Sequence, residues 1–195
     1  QTNGTLSPCF VTLELRDPSG KTLKVALDKV LMTLRHEITH QIAFEYSKHD
    51  FDNSRGVENQ FWSVEAIANY LMSYVFDKGE WRISKPKMID MGVGFIEADY
   101  AWCVANREAM QPLEKLFGLT HEQFMTAENY HMSAAVAHFL IDGEEGRYRA
   151  GFVKLLEIIH RVRDTAKTFD ECFEGVDRKA LQEQWLKFVA AIEFE

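Results

Sequence analysis

The stretch that decides how this chain is read is DKVLMTLRHEITHQIAFEYSK, residues 28–48. Asp28 is a suitable helix cap, and Val30, Leu31, Leu34, Ile38, Ile42 and Ala43 recur near the 3.6-residue period, with no Gly or Pro before Gly56. The spacing predicts a long amphipathic helix. Within it, His36-Glu37-Ile38-Thr39-His40 sets two imidazoles one turn apart on one side, so both can reach a single zinc ion. The Glu between them lies beside the remaining coordination position. Two histidines on an ordinary amphipathic helix would spell the same string, so a third ligand is what the reading needs.

FWSVEAIANYLMSY, residues 61–74, offers one. It also reads as a helix, with Val64, Ala68, Leu71 and Val75 on one stripe. Glu65 stands among apolar neighbours, where an unpaired carboxylate is costly to bury and a nearby cation would stabilise it. The polar segment KHDFDNSRGVENQ, residues 48–60, is long enough to turn the chain so that the second helix returns antiparallel to the first. Pairing of Glu65 with an Arg, or simple exposure to solvent, is the alternative.

HEITH followed by WSVEAIANY resembles the gluzincin class of zinc metallopeptidases, in which a HExxH helix supplies two ligands and a Glu on a following helix the third. EAIAN is similar to the thermolysin form of that second helix. Trp62, three residues before the Glu, is similar to the aminopeptidase N form. The resemblance implies His36, His40 and Glu65 as ligands to one zinc per chain and Glu37 as general base. It also implies that Asn69, one turn after Glu65, occupies the place of an Asp that orients a ligand histidine. Asn can accept the same N–H bond but brings no charge to raise imidazole basicity.

Further along, YHMSAAVAHFL, residues 130–140, is similar to the aminopeptidase N helix that opens on a Tyr with a small residue three places on. There the hydroxyl stabilises the oxyanion of the tetrahedral intermediate, which implies that role for Tyr130, with Ser133 as the small residue. His131 is a second candidate, since thermolysin-like enzymes use a His. A Tyr that merely packs at a helix start would look the same. From residue 10 to 194 the arrangement of helices also resembles uncharacterised bacterial domains of gluzincin type.

The implied fold is α+β and mainly α-helical, a zincin catalytic domain with a small N-terminal β-hairpin. The implied activity is zinc-dependent hydrolysis of peptide bonds in a peptide or protein substrate. No GxMEN-type string precedes HEITH, so the free N-terminus of a substrate has no evident anchor and an endopeptidase is expected. The rival expectation is a non-catalytic module on the same scaffold that binds a peptide, glycan or protein. A metal hydrolase acting on other carbonyl compounds is a third reading.

Composition agrees with one domain spanning residues 1–195. A 46% hydrophobic content with fourteen Phe and four Trp can form a sizeable core. A net charge of −8 without a Lys/Arg run argues against nucleic acid and anionic membranes as partners, because both need a basic face. No apolar stretch reaches 18 residues, so no transmembrane helix is expected. The chain opens QTNGTLSP without Met, which is the expectation for a processed protein or a part of a longer one and favours an extracytoplasmic or secreted address. Cys9, Cys103 and Cys172 are far apart and follow no ligand spacing, so at least one thiol is free. Cys103, in ADYAWCVAN, is expected to pack as a small apolar residue.

CFVTLELRDPSGKTLKVALD, residues 9–28, alternates around the Asp17-Pro18-Ser19-Gly20 turn and reads as a β-hairpin, the one clear β region. One of its strands could bind a substrate backbone by strand addition. Residues 78–95 read as a loop. Helices are expected near 97–117, 120–126, 131–141, 146–163 and 177–192. On them Phe139, Leu140, Phe152, Leu155, Leu156, Ile159, Trp185, Phe188 and Val189 recur at core spacing, and His121, His138 and His160 read as isolated surface or core histidines.

Overall fold

The computed structural model describes residues 27–46, 59–77, 79–83, 96–161 and 165–192. The N-terminal hairpin read at 9–28 lies almost wholly outside them. The described residues are mainly helical.

The first element is α1, Leu27–Tyr46, so Asp28 lies in the first turn rather than at the cap. Next comes α2, Phe61–Met72, which starts on buried Gln60. The Gln60 carbonyl accepts from both the backbone N–H and the hydroxyl of Ser63 (3.0 and 2.7 Å), and its side-chain oxygen accepts from the Trp62 indole (3.0 Å). The first of these satisfies a backbone donor that a helix start leaves open. Most of α2 is buried, including Trp62, Glu65, Ala66, Ala68, Asn69 and Tyr70, because α1 packs on one side of it and α6, Ala127–Asp142, on the other. A helix covered on two sides reads as apolar around most of its circumference. Small residues at the crossing, Ala66 and Ala68 with Ala134, Ala135 and Ala137, are all fully buried. The sequence stripe Val64, Ala68, Leu71 is not the buried face as such, since Leu71 is 40% exposed.

The expected helix through residue 74 gives way at Ser73 to a hairpin. Strands β1, Tyr74–Asp77, and β2, Glu80–Ile83, pair antiparallel, with Tyr74 opposite Ile83 and Asp77 opposite Glu80. Gly79, at φ +89°, supplies the left-handed turn residue. This corrects the loop reading of 78–83 and the reading of 9–28 as the one clear β region. A four-residue strand directly after an apolar helix has the same apolar pattern as the helix continuing.

The helix expected over 97–117 is two, α3, Ile96–Ala105, and α4, Leu113–Phe117. Pro112 stands at the N-cap of α4, and a proline turns the preceding residue away from helical geometry. The short α5, His121–Phe124, is closed by a capping box between Thr120 and Gln123. α6 begins four residues earlier than expected because the Thr126 hydroxyl caps it through the Asn129 N–H. After α6 comes a turn, Gly143–Gly146, in which Glu144, Glu145 and Gly146 all have positive φ (49°, 58° and 77°). That turn delays α7, Arg149–Arg161, past the expected start at 146. α8, Thr168–Cys172, was not expected from the sequence, whereas α9, Arg178–Ala190, starts where the GVD turn placed it, with Asp177 accepting from the N–H groups of Lys179 and Ala180.

The core is an aromatic stack between α2 and the C-terminal helices. Trp62 lies against Phe117 and Phe152 at 4.6 and 5.9 Å between ring centroids, Phe117 on Phe169 at 4.3 Å, and Phe169 on Phe173 at 4.3 Å. Of the expected core residues, Phe139, Leu140, Phe152, Leu155, Ile159, Trp185 and Val189 are buried, while Leu156 and Phe188 pack partly buried against them. Cys103 and Cys172 are buried free thiols, and Cys103 fills the small apolar place expected of it. Among the described residues no helix is long and apolar enough to cross a membrane.

Candidate metal centre

α1 presents an unusual face to α2. Its apolar stripe, Leu31, Leu34, Ile38 and Ile42, is 38–63% exposed, and the side toward α2 carries buried Met32 together with His36 and His40. The two histidines, four residues apart, bring their Nε2 atoms to 3.0 Å with ring planes at 83°. Glu65 of α2 meets them from the other helix, Oε2 at 3.4 Å from His36 Nε2 and Oε1 at 3.5 Å from His40 Nε2. His36, His40 and Glu65 lie close enough to hold a metal ion, with one donor atom of each within 4.8 Å of the others.

The donor set fits such an ion. Donors about 2.0–2.1 Å from a tetrahedral centre are separated by about 3.3–3.4 Å. The two imidazole nitrogens are 3.0 Å apart, and each lies 3.4–3.5 Å from a different oxygen of Glu65, near that edge. Two imidazole nitrogens and a carboxylate are also all basic atoms, and their convergence needs a proton or a cation among them. Burial pushes the Glu65 carboxyl up, but hydrogen bonds from His36 and His40 and the charge of those rings prevail and hold it down at about 2. Glu65 is therefore an anion poised against two imidazoles.

Glu37 lies next to His36 on α1, half-buried. Tyr130, in the first turn of α6, lies within electrostatic reach of the same site. Burial raises its phenol to about 12, with the negative charges of Glu65 and Glu37 adding to the effect. Its hydroxyl donates to Met125 Sδ at 3.5 Å, and Ser133 Oγ donates to its carbonyl at 3.0 Å.

His131 turns elsewhere. Its Nδ1 is 2.7 Å from Oδ1 of fully buried Asp99 on α3, and its ring stacks on Trp102 at 5.4 Å. Successive helical residues point about 100° apart, so Tyr130 and His131 serve different neighbours.

Asn69 is the residue expected to orient a ligand histidine. It is buried, its carbonyl accepts from Ser73 Oγ at 3.0 Å, its Nδ2 has no hydrogen-bond partner, and it bonds neither histidine.

Two contributors escaped the sequence reading. Asp99 is the buried carboxylate that orients His131, and its only signal was an acidic residue inside the apolar run ADYAWC. Arg35, beside His36, reaches across to the end of α2, which no local pattern announces. Of the isolated histidines, His138 is a core residue stacked on Tyr100, and His121 is exposed against Phe61. The chain matches no family model, no curated protein and no solved structure.

Proposed function

We propose that this chain is a zinc-dependent metallopeptidase of gluzincin type, with one zinc per chain held by His36, His40 and Glu65. The observation that carries this is the convergence of two imidazole nitrogens and a buried carboxylate at 3.0–3.5 Å, with Glu37 next in sequence to the first of them. A purely structural site closed by protein ligands has no need of Glu37, and three protein donors leave room for water as the fourth. When bound, zinc supplies Lewis acidity that makes a water acidic and polarises a carbonyl.

The chain's own residues do the rest. Glu37 takes a proton from the attacking water and delivers it to the leaving amine. Tyr130, its phenol raised to about 12, stays protonated through the neutral range and donates a hydrogen bond to the oxyanion that develops on the scissile carbonyl. His131, engaged with Asp99, is the weaker candidate for that task.

The test is metal content by inductively coupled plasma mass spectrometry on protein purified without added metal, beside His36→Ala and Glu65→Ala. About one zinc per chain in the wild type and none in either variant supports the site. A wild type that takes no zinc even after reconstitution leaves a binding module on this scaffold instead. No GxMEN-type string precedes HEITH in this sequence, which favours an endopeptidase, and equal cleavage of free and N-acetylated versions of one peptide is the expected result. A strict need for the free amine makes the enzyme an aminopeptidase.

A further inference from the structure

We infer that Arg35 is a positioning residue for the metal centre, acting by locking α1 against α2 at the distance and rotation that bring His36 and His40 onto Glu65. The inference rests on the metal-site reading above and adds a residue to it. Arg35 Nη1 donates to the carbonyl of Met72, the last residue of α2, at 2.9 Å, and to the carbonyl of Tyr74, where β1 begins. The final carbonyls of a helix lack intrahelical partners and carry its negative pole, so a guanidinium is favoured there by both hydrogen bonding and charge. The Arg35 carbonyl in turn accepts from Thr39 Oγ1 at 2.8 Å, which ties this turn of α1 together between the two ligand histidines.

The geometry makes the contact a second fixed point. The helices run antiparallel, with Arg35 meeting the C-terminal end of α2 and His40 meeting Glu65 nearer its start. On α2 the two points are seven residues apart, about 10 Å. One point of attachment leaves α1 free to slide and roll on α2; two remove both motions. The need arises because the side of α1 toward α2 carries His36 and His40 beside Met32, while Leu31, Leu34, Ile38 and Ile42 stay exposed, so fewer apolar side chains are left to set the register of this pair. A slip of one residue moves a histidine 1.5 Å, whereas a functional constellation tolerates about 0.5 Å.

The experiment is a cobalt(II) titration of the whole chain, wild type beside Arg35→Met, followed by visible d–d absorption, with melting of each protein in chelator measured in parallel. Arg35→Met keeps the aliphatic stem and removes the donors. Expected are saturation of the wild type near one cobalt per chain with intense tetrahedral bands, and for Arg35→Met about 10–100-fold weaker binding with altered bands. A clamp serving only the fold would lower the melting point in chelator and leave affinity and bands unchanged, and that result overturns the inference alone. A wild type without affinity for cobalt or zinc overturns the metal reading and this inference with it. Should Arg35→Met lack wild-type helical circular dichroism, Arg35→Gln, which keeps one donor near the carbonyls, carries the comparison with the same two outcomes.

Discussion

At the scale of single residues, the proposed chemistry divides between holding a metal and moving a proton, and the two are separable by substitution. Glu37 is not among the three convergent donors, so Glu37→Gln is expected to keep about one zinc per chain while peptide hydrolysis falls by roughly 10²–10⁴-fold. Zinc content and turnover measured on the same preparation check this, and an active Glu37→Gln removes the general base from the mechanism. Tyr130→Phe keeps the ring that packs against Phe124 at 5.0 Å and removes only the donor. Loss of a single oxyanion donor lowers kcat by about 10²–10³-fold, with zinc content unchanged. A kcat equal to wild type in Tyr130→Phe, with a loss in His131→Gln, would reverse the roles of these neighbours. The pairing of His36 and His40 was legible because four-residue spacing on a helix is a local property. That His131 turns to Asp99 while the Tyr130 hydroxyl turns to Met125 was not, since it depends on where the neighbouring elements lie around α6.

At the scale of elements, close approach between helices is set by glycines and alanines at the crossings. A Cβ on Gly151 in α7 would lie 2.8 and 2.9 Å from ring carbons of Phe173, closer than real Cβ contacts come, and 3.0 Å from the Cys172 carbonyl, tighter than most. Gly151→Ala is therefore expected to push α8 away from α7 and cost about 1–3 kcal/mol in urea unfolding. Gly118, at the C-cap of α4, is a built-in control. Its Cβ would meet nothing closer than 3.5 Å, so Gly118→Ala should unfold near the wild-type midpoint. Equal losses in the two variants would rule out the steric account. The helices whose boundaries were misread share one cause. Pro112, Thr126 and the left-handed run Glu144–Gly146 act through backbone geometry and capping, and these decide ends that apolar periodicity passes over.

At the scale of the whole molecule, the junction of α2, α3, α6, α7 and α9 is closed by polar groups. Tyr70 donates to Asp142 Oδ2 at 2.6 Å and shares a 2.6 Å hydrogen bond with Tyr74, while Arg149 pairs with Asp142 Oδ1 at 3.2 Å. His138 Nε2 lies 3.3 Å from Asp142, with its ring between Tyr100 and Phe188. Burial lowers the His138 pKa below its ordinary 6.5, and the charge of Asp142 only partly opposes this. The neutral ring is the folded form, so its stabilisation is complete above pH 6.5 and is lost as pH falls below that value toward the depressed folded pKa. Thermal midpoints should fall from pH 7 to pH 5 less steeply in His138→Gln than in the wild type; parallel slopes would remove His138 as the cause. By itself the sequence determined the two helices of the centre, named its three candidate donors and gave most of the core, because spacing along a helix and apolar content are local facts. Only the tertiary structure decided that α1 meets α2 through its histidine side rather than its apolar stripe, and that the Asn69 amide N–H finds no partner. Only it showed Arg35 tying the pair together. Which face of a helix finds which neighbour is settled by the burial and hydrogen bonding of the assembled chain, and no window of a few turns contains that information.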